Sequence, residues 1–246
     1  MEKSVIEQCP HCLEGFETTI QWSRLLGTDS SDRWYPNDIK FLTNYIEKYS
    51  SSIQGTRDYD SIVSNIAYNL QYLEYLLLTL RELNLSSVLR TQTIKYFIVA
   101  GAAVIEAILF LVCSKNQLNL TKWEKGSLCI SNEVDYEGTK IKIETIIWRR
   151  LQTAKTEEMN FDRMIKMVSK RKIIEVDADF FVKLNGIRKL RNRIHIQVID
   201  GGLTDYLRFY QAELELVKLK LFQLLTCNLF RPVSSEIEKF SYLNEV

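Results

Sequence analysis

Proline is scarce in this chain, with three in 246 residues, and glycine is thin at nine. Long stretches therefore run without a breaker, which favours a mostly helical fold. Cysteine is present five times, an odd number without the spacing of a disulfide framework, and the first residues, M-E-K-S-V-I-E-Q, lack the apolar stretch of a signal peptide. Both features imply a reducing, cytoplasmic setting. A formal net charge of +1 excludes a bulk nucleic-acid binder of the histone kind. There is no glycine-rich phosphate loop, no Ser-His-Asp arrangement, no internal repeat and no low-complexity tract. Histidine occurs twice, as His11 between two cysteines and as His195, so His195 is almost alone as a group for acid–base work near neutral pH.

What is there gathers around Asp177–Ile199, D-A-D-F-F-V-K-L-N-G-I-R-K-L-R-N-R-I-H-I-Q-V-I. Read as one helix, Ile187, Leu190, Ile194 and Val198 form an apolar stripe. Arg188, Arg191, Asn192 and His195 form a polar stripe beside it, within roughly 60° of Arg188 at about 100° per residue. Arginine offers a planar fork of donors suited to phosphate, and asparagine can orient a neighbour. No carboxylate cage accompanies them, so phosphate chemistry here is expected to run without a metal or other cofactor. Asp162–His195 carries ten lysines and arginines against four acids, and the rest of the chain is net acidic. Basic charge thus lies around this segment, where a phosphate backbone would need it. The plain alternative is an amphipathic helix whose arginines are simply solvated.

The run L-R-N-R-I-H-I-Q after an apolar-periodic lead-in resembles the signature helix of the HEPN superfamily, small all-α domains marked by an arginine and a histidine a few residues apart. Six residues lie between Arg188 and His195, whereas Arg191–Asn192 supplies the arginine–polar pair, so which arginine is catalytic stays open. The resemblance covers about Ser87–Leu229. It implies a metal-independent endoribonuclease, a toxin or anti-phage defence effector. Two copies would form a homodimer with the motif helices facing across an RNA-binding cleft, and an antitoxin or defence-system protein is a possible partner. His195 would move protons, an arginine would stabilise charge on phosphorus, and Asn192 would hold the imidazole or the phosphate in place. The same resemblance also admits a non-catalytic helical module that binds RNA, a nucleotide or a protein.

Taken in order, residues 1–57 read as an N-terminal extension, with Cys9-Pro-His-Cys12 and two short helices near Phe16–Leu26 and Asp38–Tyr49, the second capped by Asn37. Without a second C-x-x-C, Cys9 and Cys12 are expected to be free thiols rather than zinc ligands. Residues 58–231 read as the helical domain. Asp58–Leu83 has a leucine–isoleucine stripe, and Ser86–Asn116, begun by a capping serine, is apolar nearly all round. Lys95 and Glu106 interrupt its twenty-residue window, which points to a core helix and not a membrane span. Glu106, an acid in an apolar helix, is expected to pair with Arg188 or Arg191.

Residues 128–148 alternate with period two around Gly138 and read as an inserted β-hairpin with Lys140, Lys142 and Glu144 on the wet face. A capped helix at Asn160–Ile174 and the motif helix follow, with Gly201-Gly202 as its stop. A closing helix then runs from Thr204 or Asp205 to about Leu229, one face made by Leu207, Tyr210, Leu214, Val217, Leu221 and Leu225, before a tail at 232–246.

Overall fold

Ser87–Lys115 is the helix on which four others pack. A computed structural model describes residues 36–50, 57–194 and 209–244, and within them the protein is mainly helical. The helices are α1 (Ile39–Ser50), α2 (Arg57–Glu82), α3 (Ser87–Lys115), α4 (Phe161–Arg171), α5 (Ala178–Arg191), α6 (Gln211–Leu225) and α7 (Ser234–Glu238). The helix α3 is long and apolar enough to cross a membrane, but α2, α4, α5 and α6 cover it, burying Phe97, Ile98, Ile105, Ile108 and Val112. This surround explains the sequence: a helix covered on most sides needs apolar residues on most sides. Gly101 permits the close approach of α6, since a Cβ there would lie 2.7 Å from a Val217 methyl. Lys95 is buried too, with its ammonium 5.7 Å from the centre of the Phe209 ring.

The core crosses both boundaries drawn from sequence. Leu42, Tyr45 and Ile46 of α1 are buried, and the Tyr45 hydroxyl donates to the Leu225 carbonyl of α6. Phe240 and Leu243 of the tail are equally buried, with the Phe240 ring 4.8 Å from that of Tyr45. Described residues on either side of the helical segment 58–231 thus share its core.

Local capping differs from expectation at α1 and α3. Asp38, not Asn37, caps α1, its carboxylate accepting from Lys40 N at 2.9 Å. Asn37 instead donates from its backbone and side chain to Glu74 of α2, at 3.1 and 2.8 Å, so a tertiary acceptor outcompetes the local one. Ser86 precedes α3 without a side-chain cap bond. Asn160 does cap α4, accepting from Arg163 N at 2.9 Å.

The inserted hairpin is longer than the alternation indicated. Strand β1 (Leu120–Ile130) pairs antiparallel with β4 (Glu144–Thr156), and β2 (Val134–Tyr136) with β3 (Thr139–Ile141) continues the ribbon to a tip at Glu137-Gly138. Both tip residues have positive φ, the two-residue turn that suits a twisted hairpin. Nor is there a single wet face: Ile143, Ile147 and Trp148 are exposed along with Lys140 and Lys142. A ribbon covered on neither side leaves no period-two signature at 120–127 or 149–156, which is why its outer halves do not show in the sequence pattern.

The helix α6 begins at Gln211, with Tyr210 as N-cap, and ends at Leu225, shorter at both ends than expected. Its buried face is Leu214, Val217, Leu221, Leu224 and Leu225, while Tyr210 is half exposed. Leu207, the Gly201-Gly202 stop, Thr204 and Asp205 lie outside the described residues, as do Cys9, Cys12 and the helix near Phe16–Leu26.

Candidate functional site

Asp177 starts α5 by accepting from Phe180 N at 2.7 Å. From there Phe180, Leu184 and Ile187 go into the core, which fixes the rotation of the helix and leaves Arg188 and Arg191 on its flank. The α-helix stops at Arg191, and Asn192–Ile194 tighten into a 3-10 turn. This corrects the single helix drawn to Ile199. Near a C-terminus the last carbonyls lack their usual donors, and a tighter turn satisfies some of them. Because a 3-10 turn advances about 120° per residue instead of 100°, the polar stripe cannot be extrapolated past Arg191. His195 and Val198 lie outside the described residues.

Each arginine is held by a carboxylate from a different neighbouring helix. Arg191 Nη2 forms an ion pair with Glu106 Oε2 of α3, and Arg191 Nη1 lies 3.4 Å from the Asn192 side-chain oxygen. Of the two partners open to Glu106, Arg191 is the one that reaches it. Arg188 Nη2 lies 3.3 Å from Asp162 Oδ1 of α4, and Asp162 also takes Lys166 at 2.6 Å. The Lys166 hydrogen bond, joined by the charges of Lys166 and Arg188, keeps the Asp162 carboxyl below the usual carboxylate range. That anchor is therefore complete above the ordinary carboxylate pKa and is lost only as pH falls through the lowered one. Among the described residues the buried Nε of Arg188 has no hydrogen-bond partner.

Glu106 sits at the edge of the core, not inside it. Its side chain is 21% exposed and that of Arg191 35%, so the pair is partly solvated. Beside it opens a cleft of about 300 Å³ between α2, α3 and α4, lined by Ile62, Ala107, Phe110, Met159 and Met164, with Glu106 its ionisable group. A larger cavity of about 830 Å³ lies elsewhere, walled by Asn37, Glu74, Arg90, Gln211 and Tyr242, and none of the candidate site residues drawn from sequence lines it. Asp162 is the site residue that sequence reasoning missed. Its only local signature is an acid in the first turn of a helix, which is ordinary.

Comparison with family models, curated proteins and solved structures gives no match. The chemistry must therefore be argued from the side chains. Two guanidiniums, each pinned by a carboxylate and each partly open, carry N–H donors on the flank of α5, seven and four residues ahead of His195 in sequence. The described residues include no cluster of three or more metal-ligating side chains. Cys113 and Cys227 are free, and burial pushes both thiols up to about 11, so neither is a nucleophile at neutral pH.

Proposed function

We propose that this protein is a metal-independent endoribonuclease of HEPN type, a cytoplasmic toxin or anti-phage effector that works as a homodimer. The supporting observation is the double anchoring of Arg188 by Asp162 and Arg191 by Glu106 at the end of α5, directly ahead of the only histidine outside the N-terminal C-x-x-C. Anchored guanidiniums lose little freedom when charge develops on a phosphate, which is how fixed donors lower a barrier. In the reaction His195 accepts the proton of the RNA 2′-hydroxyl as its oxygen attacks the adjacent phosphorus. The bond to the 5′-oxygen breaks as that oxygen takes a proton from the imidazolium so formed, and a 2′,3′-cyclic phosphate remains. Arg191 or Arg188 stabilises the charge on the phosphoryl oxygens, and Asn192 orients Arg191 or the imidazole.

One observation favours a non-catalytic module binding RNA, nucleotide or protein instead: both guanidiniums are already engaged by carboxylates, with which a phosphate must compete. Incubating purified protein with total RNA in chelator separates the two readings. Discrete cuts support the nuclease, and intact RNA that nevertheless co-purifies supports the module. The dimeric cleft has its own test. Light scattering at micromolar concentration should give twice the mass of one chain, and a monomer throughout would remove the composite cleft.

A further inference from the structure

The ribbon that rises between α3 and α4 carries a surface the catalytic reading does not use. Its strands pair with Trp123 opposite Arg150, Glu124 opposite Arg149, and Lys125 opposite Trp148. Residues directly across a pair share a face, and so do residues two apart on one strand. Trp123, Lys125, Trp148 and Arg150 therefore form one face, with each indole beside a cation both across and along the strands. Glu124 and Arg149 occupy the other. Both indoles are about half exposed, at 53% and 51%.

The two faces differ in charge. On the back, Glu124 holds Arg149 at 2.5 Å and Lys155 at 2.6 Å, and the hydrogen bonds from Lys155 and Arg149 hold its carboxyl down to about 2. It stays ionised through the neutral range, and its cations are matched. On the front, among the described residues, neither Lys125 nor Arg150 has a carboxylate within ion-pair distance. Just beyond this face the register shifts between Lys125 and Leu128, and Gly126 permits the close backbone approach there, because a Cβ would meet the Ile147 carbonyl oxygen at 2.8 Å. Toward the tip the sign reverses: Glu133, Asp135, Glu137 and Glu144 outnumber Lys140 and Lys142, both of which lie 3.8 Å from Glu133. At the base, β4 ends at Thr156 and Met159 already lines the cleft beside Glu106.

We propose that the Trp123–Lys125–Trp148–Arg150 face is a platform for single-stranded RNA, leading the strand along the ribbon toward Arg191, the ion-pair partner of Glu106. This rests on the endoribonuclease reading for the identity of the strand. Exposed indoles present stacking faces to bases of any sequence, and interleaved unmatched cations reach the phosphates between them. Tryptophan and arginine suit a protein interface as well, and it is Lys125, of a type depleted there, lying between the two indoles that favours a phosphate backbone. The acidic tip repels phosphate, so the strand runs toward the base of the ribbon.

The test measures anisotropy of a fluorescein-labelled oligouridylate, in a His195→Ala background so that the probe stays whole. Replacing both tryptophans (Trp123→Ala with Trp148→Ala) should weaken binding by about tenfold or more. Trp123→Phe with Trp148→Phe, which keeps the stacking faces, should recover most of it. Lys125→Ala with Arg150→Ala should flatten the slope of log affinity against log salt by about 1.4, roughly 0.7 for each phosphate left without its cation. An unchanged helical melting midpoint confirms that the core is intact. Unchanged affinity and salt slope in both sets overturn the platform, even where the parent chain cleaves RNA. Dissociation of a dimer by the tryptophan changes, with RNA affinity intact, overturns it too and assigns the face to a second copy. Weakened binding in a chain that never cleaves upholds the platform and sinks only the nuclease.

Discussion

His195→Ala should lower RNA cleavage by about 10²–10⁴-fold, the usual worth of a positioned acid–base group. The parent activity should persist in EDTA and leave a 2′,3′-cyclic phosphate with a 5′-hydroxyl. The reason is one of atom supply. An internal 2′-hydroxyl is its own nucleophile and needs only a proton acceptor, a proton donor and a positive edge for the phosphoryl oxygens. His195 and the two arginines provide these. Arg188→Ala and Arg191→Ala should then differ in severity, and the larger loss marks the guanidinium that faces phosphate. Gel mobility and end-group analysis of the products decide the matter. Magnesium-dependent 5′-phosphate ends, or full activity without the imidazole, would sink the mechanism.

Glu106→Ala should act on stability and activity together. The acid–arginine pair is partly solvated, so its loss is expected to cost about 1–2 kcal/mol, more than an exposed pair and less than a fully buried one. From sequence alone Glu106 invites a larger figure, because an acid in so apolar a helix suggests full burial. Its position at the mouth of the cleft, with a side chain 21% exposed, reduces the penalty. The activity effect is expected to be larger. Once Glu106 no longer holds it, the Arg191 guanidinium samples many positions, and misplacement of about 1 Å at a reacting centre costs on the order of a hundredfold. Glu106→Gln keeps an acceptor without the charge and should fall between. Chemical denaturation read beside single-turnover cleavage checks both effects, and no change in either would reduce the pair to an incidental surface contact.

The ribbon and the arginine anchors meet through one short connection. Glu157 pairs with Arg163 at 2.8 Å, and Asp162 beside it holds Arg188. A strand lying on the ribbon and a phosphate at the cleft would therefore be read by neighbouring parts of the same backbone.

Several features of this protein were legible in the residues themselves. Scarce proline and glycine, the leucine stripe of α2 and the apolar run of α3 required helices with those faces buried, because periodicity reports burial directly. Glu106 stood out, since a charge inside an apolar helix needs a partner. Gly138 marked the hairpin tip, because a two-residue turn with positive φ favours that residue.

Tertiary structure alone decided the rest. That Arg191 and not Arg188 reaches Glu106, and that Asp162 holds Arg188, depends on the angles at which α3, α4 and α5 pack. The tightening of α5 after Arg191 leaves no trace in R-N-R-I, which contains no breaker. Asn37 turned from capping its own helix to binding Glu74, because the tertiary acceptor lies on α2, 37 residues away in sequence. The outer halves of the ribbon were invisible for the opposite reason to α3. With no face buried, no period was imposed on them, and only the pairing of β1 with β4 brings Trp123 and Lys125 beside Trp148 and Arg150.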